Sequence, residues 1–316
     1  MSSLDRALST VLEDCLAIRS REQILVVTDP EKLSIGEALT SKARALGGEA
    51  VLLEMAERET HGTEPPPQVA AAMLACDVLI APTTKSLSHT EARHKACEQG
   101  ARAATMPGIT EDMLARTMNA DFDAVRRRSR AVADLLTQGQ EVRITTTRGS
   151  DLTISIAGRE GIVDDGDLRE PGAFGNLPAG EGFIAPLEGG TEGRLVVDGT
   201  IWPAGLLDEP LTIDFEAGYA TSFEGKHAEA FRNALEPYGR EAFAVAELGI
   251  GTNEKAELTG NVLEDEKILG TIHVAVGDNH SFGGKISVPS HQDGIILEPT
   301  LTIDGRKVVE HGRLLV

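Results

Sequence analysis

The chain has 316 residues, of which 41% are hydrophobic and 25% are charged, a composition typical of a folded protein with a sizeable core. Thirty basic residues against fifty acidic ones leave a formal charge of -20, which disfavours nucleic acid as a partner because a phosphate backbone binds to positive surfaces. No apolar run approaches the roughly 20 residues that a membrane-spanning helix needs, so no membrane partner is expected.

The start of the chain and its cysteines bear on the compartment. The first residues, MSSLDRALSTVLEDCLAI, are amphipathic and acidic and lack the basic and apolar segments of a secretory signal, so we expect a first helix there. Cys15, Cys76 and Cys97 form no CxxC pair, which favours a reducing compartment over a disulfide framework or a thiolate zinc site. We therefore expect a cytoplasmic protein.

Short strand patterns alternate with helical patterns from Gln23 to Met106. The predicted strands are 23–28, 50–54, 77–81 and 101–105, and the predicted helices lie near 32–46, 67–75 and 88–99. Parallel strands need crossover helices that cover both faces of the sheet, so this series predicts a three-layer α/β domain. No glycine-rich phosphate-binding motif follows these strands, so the pattern alone does not imply a nucleotide.

The texture of the sequence changes after a basic helical stretch that ends at Gly139. Beyond it, short alternating strands with Gly, Asn and Asp turns follow one another, and one helical pattern lies near 226–236. We therefore predict an α/β domain with a parallel sheet over 1–139 and a β-rich, barrel-like α+β domain over 140–316. The second domain is expected to bind metal and to be catalytic.

Three of the eight histidines, His273, His280 and His291, fall close together in the β-rich half. In GTIHVAV, alternation turns His273 away from the face of Ile272. In SHQDG, His291 and Asp293 are two residues apart, so an extended segment points both side chains the same way and lets them share a Zn, Mn, Fe or Co ion. A hydrogen-bonded strand histidine and a chance HxD match are the alternatives.

Two glutamates stand in segments that are otherwise uncharged. Glu247 lies in VAELGIGTN, where alternation puts Val245, Glu247 and Gly249 on one side of a strand, and Glu181 lies between LPAG and GFIAP. Burying an unpaired carboxylate is costly, so each glutamate needs a cation or strong hydrogen-bond donors. A metal ion and a salt bridge both satisfy that need.

Two further motifs have both a structural and a functional interpretation. The run LEDEK supplies Glu264, Asp265 and Glu266, which form either a solvated helix turn or, if they face a cavity, a general base.

In SLSHTEAR, Ser86 or Ser88 can cap a helix, whereas His89, Thr90 and Arg93 could contact substrate across a domain cleft.

These residues carry a resemblance to a known family. The thermophilic-type metallo-aminopeptidases, the aminopeptidase T and aminopeptidase S group, resemble this chain in AELGIGTNEKAELTGNVLEDEKILGTIHVAVGDNHSFGGK and SHQDGIILEPTLTIDG, and more weakly in SLSHTEAR, MPGIT and NLPAGEGFIAP. The resemblance implies a homodimeric hydrolase in which two Zn, Co or Mn ions activate water to cleave an amide or N-terminal peptide bond. The implied metal ligands are Glu181, Glu247, His273, His291 and Asp293.

The resemblance also implies catalytic roles. Glu247 or Asp293 would bridge the two ions, and Glu266 or a neighbour would act as base. His280 stands where the family has a tyrosine, and it could donate to an oxyanion, bind metal or face solvent. His89 and Arg93 are expected to contact a small-molecule or short-peptide substrate.

A related branch of similar architecture contains mononuclear iron dioxygenases that open dihydroxypyridine rings. Their site needs two histidines and one carboxylate around Fe(II), with open positions for oxygen and substrate. In that branch a histidine stands at the position of Glu247, and the position of Glu181 is not a carboxylate. The two glutamates therefore favour the hydrolase, and the Fe(II) dioxygenase is the alternative.

Overall fold

The computed structural model describes residues 2–316. The α-helices are α1 Ser3–Ser9, α2 Leu33–Ala45, α3 Pro67–Met73, α4 Glu91–Glu98, α5 Glu111–Thr117, α6 Phe122–Gln138, α7 Ala228–Leu235 and α8 Val262–Asp265. The strands are β1 Gln23–Thr28, β2 Glu49–Glu54, β3 Val78–Thr83, β4 Arg102–Pro107, β5 Glu141–Thr145, β6 Asp151–Ser155, β7 Ile162–Asp164, β8 Phe174–Asn176, β9 Glu181–Ile184, β10 Thr191–Val197, β11 Thr200–Ile201, β12 Gly205–Leu206, β13 Leu211–Glu216, β14 Tyr219–Glu224, β15 Val245–Gly251, β16 Ile272–Gly277, β17 His291–Ile296, β18 Thr300–Ile303, β19 Arg306–Glu310 and β20 Arg313–Leu314.

The first compact unit runs to Phe122 and includes the later segment Gly166–Ala179. Its sheet has the order β2-β1-β3-β4-β8, and all of its strand pairs are parallel. The central strand β3 is buried along its whole length, as expected when helices cover both faces of a parallel sheet. The predicted N-terminal α/β domain with a parallel sheet is confirmed.

The second unit comprises Asp123–Asp165 and Gly180–Val316 and is built from two antiparallel sheets. One sheet has the order β14-β13-β10-β6-β5-β18-β19-β20, and the other has the order β12-β11-β17-β16-β15-β9-β7. Apolar side chains from both sheets, such as Ile144 and Leu195 from the first and Leu248 and Val274 from the second, form one buried cluster. The predicted β-rich C-terminal region is therefore confirmed.

The two units differ from the predicted domains at 1–139 and 140–316 in two places: helix α6 belongs to the second unit, and the segment around β8 belongs to the first. Val132 and Leu136 of α6 are fully buried in the core of the second unit, because the helix is amphipathic and directs this stripe at the sheets. Strand β8 extends the parallel sheet of the first unit beside β4. Within residues 2–316, none of the helices has the length and apolar character needed to cross a lipid bilayer.

The packing of α6 predicts a difference between two neighbouring positions. We expect Leu136→Ala to lower the free energy of unfolding by about 2–5 kcal/mol, because it leaves a cavity in the core of the second unit. Asp134→Ala, at an exposed position of the same helix, should change it by less than about 0.5 kcal/mol. Urea denaturation followed by circular dichroism measures both, and equal effects would contradict the assigned packing.

Candidate metal centre

The candidate site lies on one face of the four adjacent strands β17-β16-β15-β9. His273 pairs with Gly249, Asp293 with Ala275, and Glu181 with Gly251. Residues directly opposite each other in antiparallel pairs project to the same face, so the register brings distant parts of the sequence together. This face carries all five predicted ligands, Glu181, Glu247, His273, His291 and Asp293.

The opposite face of the same strands is apolar. Leu248 and Ile250 of β15 and Ile272 and Val274 of β16 point into the core between the two sheets. The predicted alternation therefore matches the register of the sheet for Glu247 and His273, whereas a β-bulge between Val245 and Glu247 places Val245 in the core instead of beside Glu247. A rigid packed face thus supports the polar one.

Glycines make room for the polar groups. A Cβ atom built on Gly249 would lie 2.0 Å from Nε2 of His273, so only glycine at this position allows the imidazole to lie across the strand. A Cβ atom on Gly251 would lie 2.0 Å from the carbonyl oxygen of Ile268, so glycine there allows the following loop to approach the sheet. Both positions show the close backbone approach for which strand glycines are used.

Glu247 lies between the two histidines. Its Oε1 is 3.2 Å from Nε2 of His273, and its Oε2 is 3.4 Å from Nε2 of His291. Glu181 Oε2 lies 3.2 Å from His273 Nε2, and Asp293 Oδ1 lies 3.5 Å from His291 Nε2. The site therefore has an inner half, formed by Glu181, Glu247 and His273, and an outer half, formed by Glu247, His291 and Asp293.

The two halves differ in accessibility. The side chain of His273 is completely buried, whereas that of His291 is 25% exposed. Phe282 packs edge-on against His291 with ring centroids 5.9 Å apart, and also against Phe183 at 5.7 Å. The outer half is therefore the end of the site that solvent and small molecules can reach.

The chemistry of these groups fits a divalent metal ion. Glu181 Oε2 and Asp293 Oδ1 are buried and accept no hydrogen bond from residues 2–316, which leaves one unsatisfied carboxylate oxygen in each half. In the inner half, one ligand atom from each of three side chains lies within 4.8 Å of the others. Imidazole with carboxylate is a donor set for Zn, Mn or Fe, whose neighbouring ligands are separated by roughly 3 Å.

A buried lysine, which the sequence analysis missed, belongs to the same face. The Nζ atom of Lys267 is 2.5 Å from Glu181, 2.8 Å from Glu266 and 3.2 Å from Asp164, and its side chain is completely buried. Lys267 was overlooked because the run LEDEK resembles a solvated turn. Its nearness to the uncharged segment ILGTIHVAVG was the available signal.

Burial and charge act against each other in this lysine cluster. Burial disfavours the ammonium of Lys267, but Glu181, Glu266 and Asp164 outweigh it and hold the pKa of Lys267 well above its ordinary value. Burial raises the pKa of Glu266 to about 8 and that of Asp164 to about 7, although Lys267 opposes both shifts. The cluster therefore contains carboxyl groups that can exchange protons near neutral pH.

The proposed ligands are also strongly coupled. Burial disfavours the imidazolium of His291, but Asp293 and Glu247 outweigh it and raise its pKa to about 10. Burial opposes ionisation of Asp293, but His291 outweighs it and lowers the pKa of Asp293 to about 2. Burial raises the pKa of Glu247. In the metal-free protein the imidazolium of His291 thus pairs with an ionised carboxylate.

Other predicted site residues are placed differently. His280 is exposed on the turn His280–Phe282, so its predicted catalytic role stays a prediction. Glu264 and Asp265 are completely buried, so the interpretation of a solvated turn was wrong for them. Glu264 accepts a hydrogen bond from the backbone of Glu257, and Asp265 accepts one from the hydroxyl of Thr200, which fixes the loop that precedes β16.

His89 and Arg93 lie in the first unit, and their predicted contact with substrate stays a prediction. His89 is exposed, whereas Arg93 is buried, donates to the carbonyl oxygen of Ser88 and lies 3.7 Å from the ring centroid of Phe174. The cap of α4 is Thr90, whose side chain accepts from the backbone of Arg93, so the predicted serine caps were wrong. Ser88 instead bonds with Thr105.

The sequence of the chain matches a family model and a curated protein that both carry the name of the same enzyme. The family model described as NicX: 2,5-dihydroxypyridine 5,6-dioxygenase matches residues 3–316. The curated 2,5-dihydroxypyridine 5,6-dioxygenase of Pseudomonas putida is 26% identical over 255 residues, which are 76% of this chain and 71% of that protein.

Two solved structures share the fold of the whole chain. The 2,5-dihydroxypyridine dioxygenase of Pseudomonas putida KT2440 has a TM-score of 0.84 at 22% identity, with 100% of this chain and 98% of that chain covered. Wild-type AmpT of Thermus thermophilus has a TM-score of 0.73 at 18% identity, with 99% of each chain covered. The relation between the two branches that the sequence suggests is therefore supported at the level of the fold.

The raised pKa of His291 predicts that metal binding displaces a proton. Below pH 10 the metal-free imidazole is protonated, and a metal ion needs its free nitrogen, so metal affinity must rise with pH. We expect the affinity for Mn²⁺ to rise about tenfold per pH unit from pH 7 to pH 9, measured by isothermal titration calorimetry. A constant affinity over this range would show that no proton leaves His291 when the metal ion binds.

The contact at Gly249 predicts a second effect. We expect Gly249→Ala to weaken Mn²⁺ binding by about 10- to 100-fold, because the added methyl group must displace the imidazole of His273 and thereby Glu247. Gly36→Ala in α2, where the new Cβ would lie 3.1 Å from Leu52, is the control and should leave metal affinity unchanged. Equal metal affinity in both variants would contradict the assigned role of Gly249.

Proposed function

The chain belongs to the family described as NicX: 2,5-dihydroxypyridine 5,6-dioxygenase, and we propose that it is an Fe(II)-dependent dioxygenase that opens a dihydroxylated, electron-rich aromatic ring. The family match over residues 3–316 carries this proposal, and the metal-binding chemistry of the sheet face supports it. The relative from Pseudomonas putida bears the name of the same reaction. The proposal presupposes that the protein is a metal-dependent enzyme, which the family match and the cluster of possible metal ligands support.

The prediction of an aminopeptidase-type hydrolase was wrong. The family model and the curated relative both name a dioxygenase, which also removes the expectations of a metalloprotease and of a peptide substrate. The prediction rested on Glu181 and Glu247, because the dioxygenase branch was expected to have a histidine at the position of Glu247 and no carboxylate at the position of Glu181. Glu181 already has a cation in Lys267, at 2.5 Å, so its presence does not require a second metal ion.

The outer half is the part of the site that suits the proposed iron. His291, Asp293 and Glu247 would hold it, with His273 at the other oxygen of Glu247. When bound, ferrous iron supplies the one-electron chemistry that the reaction of dioxygen with an organic ring requires. This donor set has one imidazole and two carboxylates, which are ligand types that non-haem iron uses, with Glu247 in place of the second histidine of the two-histidine, one-carboxylate triad.

Residues around the outer half can bind and orient a planar ring. Phe282 and Phe183 form an aromatic edge beside His291, the accessible ligand. Burial raises the pKa of Glu266 to about 8, so its ionised form is a stronger base than an ordinary carboxylate and would accept a proton from a ring hydroxyl. The proposed substrate is accordingly a small aromatic molecule, and a homodimer remains part of the proposal.

Oxygen consumption tests the proposal. Protein loaded anaerobically with one Fe(II) per chain should consume one dioxygen for each 2,5-dihydroxypyridine whose ring absorbance is lost, whereas zinc-loaded protein, which is redox-inert, should consume none. His291→Ala should lose activity by more than about 100-fold, because changes beside a metal ligand already cost 10- to 100-fold. Oxygen electrodes and absorbance spectroscopy provide both readings.

A matched histidine serves as the control. His227 of the same unit pairs with Asp208 and lies outside the site, so His227→Ala should keep iron content and activity. The proposal is wrong if iron-loaded protein consumes no oxygen with dihydroxypyridines or dihydroxybenzenes, or if His291→Ala retains full activity.

A further inference from the structure

Lys267 gives the inner half of the metal site a permanent positive charge. The carboxyl groups of Glu181, Glu266 and Asp164 surround its buried ammonium. Buried lysines are rare unless they are paired, so such an arrangement must be held by the surrounding structure. The question is what this cation does beside a metal centre.

The backbone around Lys267 fixes the ammonium in place. Lys267 follows α8, and its backbone nitrogen donates to the carbonyl oxygen of Glu264. Its own carbonyl oxygen accepts from the backbone of Asn253, just beyond β15. Because Gly251 has no side chain, this loop lies directly on the sheet face. The backbone of Lys267 is therefore held in one place, which limits the positions that Nζ can reach.

Glu181 is shared between this ammonium and the inner half. Its Oε1 is 2.5 Å from Lys267 Nζ, while its Oε2 is 3.2 Å from His273 Nε2. A carboxylate that bridges two metal ions has one cation beside each oxygen. In Glu181 the ammonium of Lys267 takes one of these two positions. A divalent ion in the inner half would lie a few ångströms from this buried charge, where Coulomb repulsion is strong.

The outer half makes no direct ion pair with this ammonium. Within residues 2–316, His291 pairs with Asp293 and with Glu247, and neither His291 nor Asp293 makes an ion pair with a lysine or an arginine, so Lys267 acts on Asp293 only from a greater distance. An ion there has Glu247 between it and His273. The two halves thus have similar donor atoms but differ in the charge beside them.

We propose that Lys267 closes the inner half to a second metal ion and thereby sets the capacity of the site at one divalent ion, in the outer half. The inference takes the identity of the native ion from the proposed function, whereas the number of ions is argued from the charge of Lys267 beside Glu181. Lys267 acts through Glu181 and is a positioning residue that makes no contact with substrate.

Metal stoichiometry tests the role of the charge. Chelator-treated wild-type protein, titrated with Mn²⁺ and assayed by equilibrium dialysis with elemental analysis, should bind one ion per chain. Lys267→Met keeps much of the side-chain volume but removes the charge and frees Glu181, so it should bind two. The second ion should bind on the order of 100-fold more tightly in this variant than in the wild type.

Further variants locate the second ion. The double variant Lys267→Met with His273→Ala should return to one ion, because it lacks a ligand of the inner half. Lys267→Arg keeps the charge and should bind one ion. Electron paramagnetic resonance gives an independent reading, because two Mn²⁺ ions that share Glu247 are spin-coupled and a single ion is not.

Two results would overturn the inference. One is two tightly bound ions in the wild type, and the other is a single ion in folded Lys267→Met. If that variant does not fold, histidine substitutions in the wild type decide the matter: His273→Ala should keep the single ion and His291→Ala should lose it, whereas the reverse pattern refutes the assignment. None of these measurements uses oxygen or a ring substrate, so failure of the dioxygenase proposal is read separately.

Discussion

The neutralisation of buried charge on one sheet face is the constraint on which the site depends. Glu181, Glu247 and Asp293 are largely withdrawn from water, and an isolated buried carboxylate is far too costly to persist. Two histidines and one lysine provide positive charge or hydrogen-bond donors among these carboxylates. Asp293 Oδ1, which is buried and accepts no hydrogen bond within residues 2–316, lies in the outer half, where an added cation would satisfy it.

The two-faced character of the sheet lets the fold tolerate this concentration of charge. Leu248 and Val274 anchor the strands in the core, while their neighbours in sequence, Glu247 and His273, turn to the opposite side. A register slip of one residue would bury the charged set in the core and expose the apolar one, so the register is strongly specified. The apolar face thus provides the rigidity that a metal site needs from its supporting residues.

Strand alternation was enough to predict much of this site, because it depends on local periodicity. The positions of Glu247, His273 and Asp293 on one face were predicted in this way, and the parallel-sheet and β-rich regions were predicted from the spacing of their strands. Long-range effects were not accessible. Lys267 reaches the sheet only because Gly251 lets a loop descend on it, and Asp164 joins the cluster from the three-residue strand β7. Neither contact leaves a periodic signal in the sequence.

Hydrolysis was wrongly predicted in part because the contact between Lys267 and Glu181 leaves no signal in the sequence. The fold is shared with a dioxygenase and with AmpT, so the architecture does not select the chemistry. Carboxylates and imidazoles are ligands for hydrolytic and for redox metals alike, and counting them gives the greatest number of ions that a site could hold. The number that it does hold depends also on the cations that the chain itself contributes. A lysine that takes one oxygen of Glu181 changes that balance without changing a single ligand. Reading such a site therefore requires the partners of its ligands as much as the ligands themselves.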